Sequence, residues 1–268
     1  PAYATNADAM ETFARNANVL AKAGGIDVKQ SVETMSNAML QFGLRTGDAS
    51  KDAETSTRII NGLAASARAG AAQIPQVGEA ILQVGVMAKT SKLSFEETAA
   101  AIQVMAVGGK TGAEAGVALR NVLGLIQRPS AEAEAAFRKM GMTSAELGKT
   151  LTTAGIGAAV EQLKKGMGNL STAQEKTNAL MKVFGVENAA AAGLLMDNSD
   201  RFNEFVTSIK KGETGMGTAF EMFNQKSGSA SGNIAKMKAY LSDLAISVYN
   251  TMGPTFSTVL KASSSMMP

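Results

Sequence analysis

Helix-start and helix-stop signals alternate at short intervals along almost the whole chain, and that punctuation leaves little room for anything but helices. Asp27 precedes Val28 and Asp48 precedes Ala49, placing a short carboxylate where it accepts an unpaired N–H of a first turn. Ser94 with Glu97, Thr111 with Glu114, Thr143 with Glu146 and Ser171 with Gln174 have the spacing of capping boxes. In that motif the hydroxyl accepts an N–H of the first turn while the acid or amide three residues on reaches back to the cap. Stops fall between the starts at Gly24-Gly25, Gly43, Gly70, Gly108-Gly109, Gly141, Gly166 to Gly168 and Gly185. Glycine adopts the left-handed position that closes a helix C-terminus. Pro75 and Pro129 stand at or just before a first turn, where no backbone donor is lost. No sustained two-residue alternation of Val, Ile and aromatic residues bounded by turn dipeptides occurs, so we expect an all-α fold of roughly ten short helices.

Composition shifts at Lys226-Ser227-Gly228-Ser229-Ala230-Ser231-Gly232, a small polar stretch with the character of a linker or hinge. We therefore expect residues 1–228 to form one compact multi-helix module of Gly-terminated helices and residues 229–268 to form a longer amphipathic helix and tail. Beyond the linker, Ile234, Met237, Leu241, Leu244 and Val248 repeat at three and four residues, which draws one apolar seam along a helix. Such a seam serves either an oligomer contact or packing on the chain's own core. Pro1 at the start and Met267-Pro268 after a serine run at the end lead us to expect a piece of a longer protein.

The 268 residues include no cysteine and no histidine, which removes disulfides, thiolate nucleophiles, Cys/His zinc sites and Ser-His or Cys-His pairs. No catalytic, cofactor-binding or metal site is expected. The formal charge is +3, but the lysines are scattered in pairs such as Lys164-Lys165 and Lys210-Lys211. With no Trp and three Tyr, the chain lacks the basic, aromatic-interleaved face of a nucleic-acid binder, so no specific nucleic acid is expected. No secretory leader pattern is visible. Leu244 to Leu260 is the longest uncharged run, yet it carries several Ser and Thr and is interrupted by Gly253-Pro254. That composition argues against a spanning helix, which needs about 20 predominantly apolar residues.

Three short patterns invite a chemical reading and fail it. Gly108-Gly109-Lys110-Thr111 evokes a phosphate loop, but Val104 stands where the first glycine belongs, and a helix stop followed by a Thr cap accounts for it. Ser208-Ile209-Lys210-Lys211 matches S-x-x-K without the S-D-N or K-T-G companions of a serine acyl-enzyme. Glu96 and Glu97 are adjacent, so on a helix they point about 100° apart, and Glu97 is better explained as a cap partner. Acids distant in sequence can still meet as a glycosidase pair, so hydrolysis of cell-wall sugar stays open at this point. Gly112 and Gly116 form a G-x-x-x-G pair that clears one helix face for another backbone, an arrangement expected to serve close helix packing.

Around this pair the sequence becomes recognisable. Leu93-Ser94-Phe95-Glu96-Glu97-Thr98-Ala99-Ala100 is followed by Gly112-Ala113-Glu114-Ala115-Gly116-Val117-Ala118-Leu119-Arg120 and then Pro129-Ser130. In order and spacing this resembles the core region of bacteriophage tail tape measure proteins, with their L-S-x-E-E-T-A-A helix, glycine turn, A-G-T-A-L-R helix and Pro-containing loop. Val117 replaces the usual Thr and Phe137 stands where Leu is common. Phe137 to Met142, Val183-Phe184-Gly185 leading into Ala189 to Leu195, and the closing Ser229 to Pro254 stretch are also similar to the family. So are Met39 to Leu44 and Ile74 to Ala88, which extends the resemblance to roughly residues 30–260.

The resemblance implies a structural assembly protein in the phage tail lumen that sets tail length and leaves ahead of the DNA during ejection. Its implied partners are tail-tube and tail-tip or baseplate proteins, together with further copies of itself as a low-copy homo-oligomer. Contact with the host membrane is implied only during ejection, and assembly takes place in the bacterial host cytoplasm. No family catalytic residue is carried over. Two alternatives stay open: a muralytic module of the kind some tape measures carry, and a membrane-active helical protein.

Overall fold

A computed structural model of the chain describes residues 2–213 and 217–227. Within them lie eleven helices and no strand: α1 (Ala2–Gly24), α2 (Val28–Gln41), α3 (Ala49–Ala69), α4 (Ile74–Thr90), α5 (Phe95–Val107), α6 (Gly112–Gln127), α7 (Ala131–Lys139), α8 (Ser144–Gly168), α9 (Ala173–Asp197), α10 (Ser199–Gly212) and α11 (Thr218–Ser227). The helices are less uniformly short than the sequence suggests, because α8 and α9 each run 25 residues across an internal kink, at Gly155 and Gly185. The seam from Ile234 to Val248 and the whole expected C-terminal unit lie outside the described residues.

Most of the expected caps form. The Asp27 carboxylate accepts from Gln30 N at 2.8 Å, and Asp48 accepts from Ser50 N and Lys51 N. Complete capping boxes open α5 at Ser94/Glu97 and α8 at Thr143/Glu146. Two expectations need correction. Thr111 precedes α6 without a side-chain cap, and Glu114 instead takes Lys110 Nζ at 2.5 Å, so the lysine one turn back outcompetes the cap. The box before α9 is Thr172/Glu175, one residue later than Ser171/Gln174. Glu175 also accepts from Ser171 N at 2.9 Å, and its charge makes it the stronger acceptor for the positive end of a helix.

The chain packs around α5, where every residue from Thr98 to Ala106 is buried. A helix apolar on all sides belongs in the middle of a fold. Helices α3, α4, α6, α8, α9 and α10 all touch it. The most extensive helix pair is α4 with α6, followed by α1 with α3. Helix α11 returns to lie on α1 and α3, where Lys226 Nζ donates to Ala23 O at 2.8 Å. One apolar core therefore runs from Ala17 to Ala219.

Buried polar side chains complete this core by satisfying one another or the backbone. Gln103 on α5 is fully buried; its amide oxygen accepts from Ala72 N at 2.8 Å, while its amide nitrogen donates to Ala72 O and Ser66 Oγ, each at 3.0 Å. It thus satisfies both backbone groups of Ala72 in the α3–α4 connection. Asn16 ties α1 to α3 by donating to Ser56 Oγ and Thr57 Oγ1, each at 2.8 Å.

Candidate functional site

At the α4–α6 contact Gly116 lies directly on the neighbouring backbone: a Cβ added there would stand 2.8 Å from Ala80 Cα and collide with Ala80 O. Gly112 has φ +57 and faces the Glu79 carboxylate, 2.5 Å from where its Cβ would be. On the other side of α4, Gly78 meets Thr34 and Gly85 meets Gln41 of α2. Glycines on both flanks of α4 let α2, α4 and α6 approach closely. The pattern serves helix packing, because each of these glycines is met by a residue of a neighbouring helix.

Two carboxylates far apart in sequence do meet. Glu96 on α5 is 5% exposed and accepts from the Arg58 guanidinium of α3 at 3.2 Å. Glu213, at the C-terminal cap of α10, lies against it. Burial, followed by the charge of Glu96 and a hydrogen bond with it, pushes the Glu213 carboxyl from its ordinary 4.5 up to about 8, against smaller opposing effects of Arg58 and Lys210. Glycosidases hold their carboxyls about 5 to 9.5 Å apart so that a sugar and water fit between. Glu96 and Glu213 stand within hydrogen-bonding reach of each other, closer than that arrangement.

Two further acids are committed to structure. Glu97 closes its own capping box and also accepts from Ile156 N at 3.1 Å, capping the second half of α8 after the kink. Asp52 accepts from Thr46 N and Thr46 Oγ1. No group of three or more acids that could hold a metal occurs among the described residues. A cavity of about 10 Å³ between α6, α8 and α9 is lined by Val122, Ile126, Leu151, Ile156, Ala159 and Leu195, and offers a reactant no polar group.

Ser208 is exposed on α10, and Gly108 and Gly109 close α5 before α6 begins, so neither pattern builds a nucleophile or phosphate site. By length and composition α9 could cross a membrane, with mean hydropathy 1.3 over its best stretch. In this fold it is bent at Gly185 and buries Val183, Phe184, Ala191, Ala192, Leu195 and Met196 against the core.

No solved structure matches the chain. The tape measure protein of Pneumococcus phage Dp-1 is 25% identical over 244 residues, which is 91% of this chain. The chain spans only 20% of that protein's length. Residues 4–185, from α1 to the kink of α9, match the family described as phage-related minor tail proteins. That stretch is well over half of the sequence, and the chain belongs to the phage-related minor tail protein family.

Proposed function

We propose that this chain is a compact helical module of a tape measure protein, which occupies the phage tail lumen, sets tail length with the rest of its chain and leaves ahead of the DNA. The observation that carries this is the similarity of 91% of the chain to one fifth of the tape measure protein of phage Dp-1. Physical reasoning assigns the module a role other than the ruler itself. A ruler translates residues into distance at about 1.5 Å each through a continuous helix, whereas the eleven helices of the described residues fold back on one core.

Electron microscopy of phage carrying in-frame deletions in the full-length gene tests this. Removing 100 residues from an extended helical part is expected to shorten tails by about 150 Å. Removing residues 2–213 is expected to abolish tail assembly. Tails shortened by about 320 Å on that second deletion would make this stretch part of the ruler and overturn the assignment.

The seam Ile234, Met237, Leu241, Leu244 and Val248 is proposed as the contact through which copies of the chain associate, with tail-tube and tail-tip proteins as outer partners. Two heptads alone are marginal in water, since helices under about 12 to 15 residues rarely hold. The test therefore extends the chain beyond Pro268. Light scattering is expected to show an oligomer that Leu241→Asp and Leu244→Asp convert to monomers with α1 to α11 still folded. A monomeric wild type whose variants lose helicity throughout would mean that the seam packs on its own module.

A further inference from the structure

The contact between Glu96 and Glu213 takes no part in tail-length control as proposed above, and it sits at a mechanically important place. Glu213 ends α10, and Thr218 begins α11, the last described helix before the C-terminal segment. Both of these helix ends rest on α3 through close contacts. Gly62 has no side chain where the Phe95 ring and Glu213 Oε1 press in; a Cβ there would be 2.8 Å from that oxygen. Asn61 Oδ1 accepts from Ala219 N at 3.1 Å, and Thr218 Oγ1 donates to Gly212 O at 3.3 Å.

Glu213 Oε1 is buried, and no N–H or hydroxyl reaches it. The charged groups that face Glu213 are Glu96 of α5, Arg58 of α3 and Lys210 of its own helix, and none comes from α8 or α9, which also pack on α10. Helix α11 contributes Glu221, which is turned away to Arg68 Nη1 at 2.7 Å. Arg58 neutralises one carboxylate of the pair, leaving the second to be accommodated by a proton between the two acids.

We propose that Glu96, Glu213 and Arg58 form a proton-operated latch that holds the end of α10 and the start of α11 on α3, so that a rise in pH loosens α11. With the proton in place, Glu213 donates to the Glu96 carboxylate and Glu96 remains paired with Arg58. Without it, two carboxylates oppose each other in a half-buried site beside one guanidinium, and the α10 end is pushed off Gly62. The direction follows from linkage. The folded chain holds the Glu213 proton up to about pH 8, while a freed Glu213 loses it near 4.5, so closure weakens as pH rises between those values and levels off above. The absence of histidine and cysteine keeps that window almost free of other titrations.

The chain has no Trp, so Phe223→Trp places a single indole, excited selectively over the three Tyr, on α11, where Phe223 stacks on Phe220. In the full 268-residue chain, acrylamide quenching of this Trp is expected to rise, and the melting temperature to fall, from about pH 5 to about pH 8. Glu213→Gln, which keeps a neutral donor in place, is expected to remove both slopes. Glu96→Gln is expected to move the end of the window to lower pH, and it serves if Glu213→Gln does not fold. Flat profiles in the Phe223→Trp chain, or slopes unchanged by a folded Glu213→Gln, overturn the latch; the reporter chain alone decides if neither variant folds.

Discussion

Gly116→Leu is expected to lower the melting temperature by about 10 °C, corresponding to about 3 to 4 kcal/mol for a chain of this size. The effect is large because the new side chain meets backbone. Its Cβ would lie 2.8 Å from Ala80 Cα and closer still to Ala80 O, and no rotamer of Leu moves a Cβ. Helices α4 and α6 would have to separate along the most extensive helix contact in the fold. Gly124→Ala supplies the control on the same helix, since its Cβ meets only Met87 Cε at an ordinary 3.5 Å. That change is expected to be neutral or to stabilise by up to about 1 kcal/mol through helix propensity. Equal melting temperatures for Gly116→Leu and wild type would show that α4 and α6 do not approach as described.

The residues that announced themselves in the sequence are those whose partners are two or three positions away. Asp27, Asp48, Ser94 and Thr143 cap their helices because an N-cap oxygen and its N–H are neighbours along the chain. Thr111 shows the limit of that reasoning: Lys110 and Glu114 pair along the same turn, and local spacing does not reveal which bond wins. What remained illegible was set by tertiary contact. Nothing near Gln103 marks it as the partner of Ala72, and Glu96 and Glu213 meet only because α10 packs on α5. The burial of α5 is a middle case. Its run from Thr98 to Ala106 is apolar enough to be recognised, but its central position emerges only once six other helices are placed around it.

Gly185 was legible as a stop, whereas Gly155 carried no visible signal, and the structure makes the two kinks comparable. Both residues sit at positive φ with extended ψ, +86 and −175 at Gly155 and +71 and 163 at Gly185. That region is essentially reserved for glycine and costs other residues about 1 to 3 kcal/mol. The surroundings differ. A Cβ at Gly185 meets nothing within 4 Å, while one at Gly155 strikes the Glu97 carboxylate, 2.8 Å from Cδ. Glu97 cannot simply retreat, because it holds Ile156 N at 3.1 Å and both the N–H and hydroxyl of Ser94 at 3.4 Å. Displacing it removes caps from α5 and from the second half of α8 together, each worth about 1 kcal/mol. Gly185→Ala is therefore expected to cost about 1 to 2 kcal/mol in chemical unfolding, and Gly155→Ala about 3 to 4 kcal/mol. In a Glu97→Ala background the collision is gone, so the added cost of Gly155→Ala should fall to that of Gly185→Ala, giving a coupling of about 2 kcal/mol between positions 97 and 155. Gly148→Ala, in the same helix with open space around it, is expected to stabilise by up to about 1 kcal/mol. If Gly155→Ala proves no more damaging than Gly185→Ala in the otherwise unaltered chain, Glu97 does not hold the kink of α8, and its bond to Ile156 has no part in bending that helix.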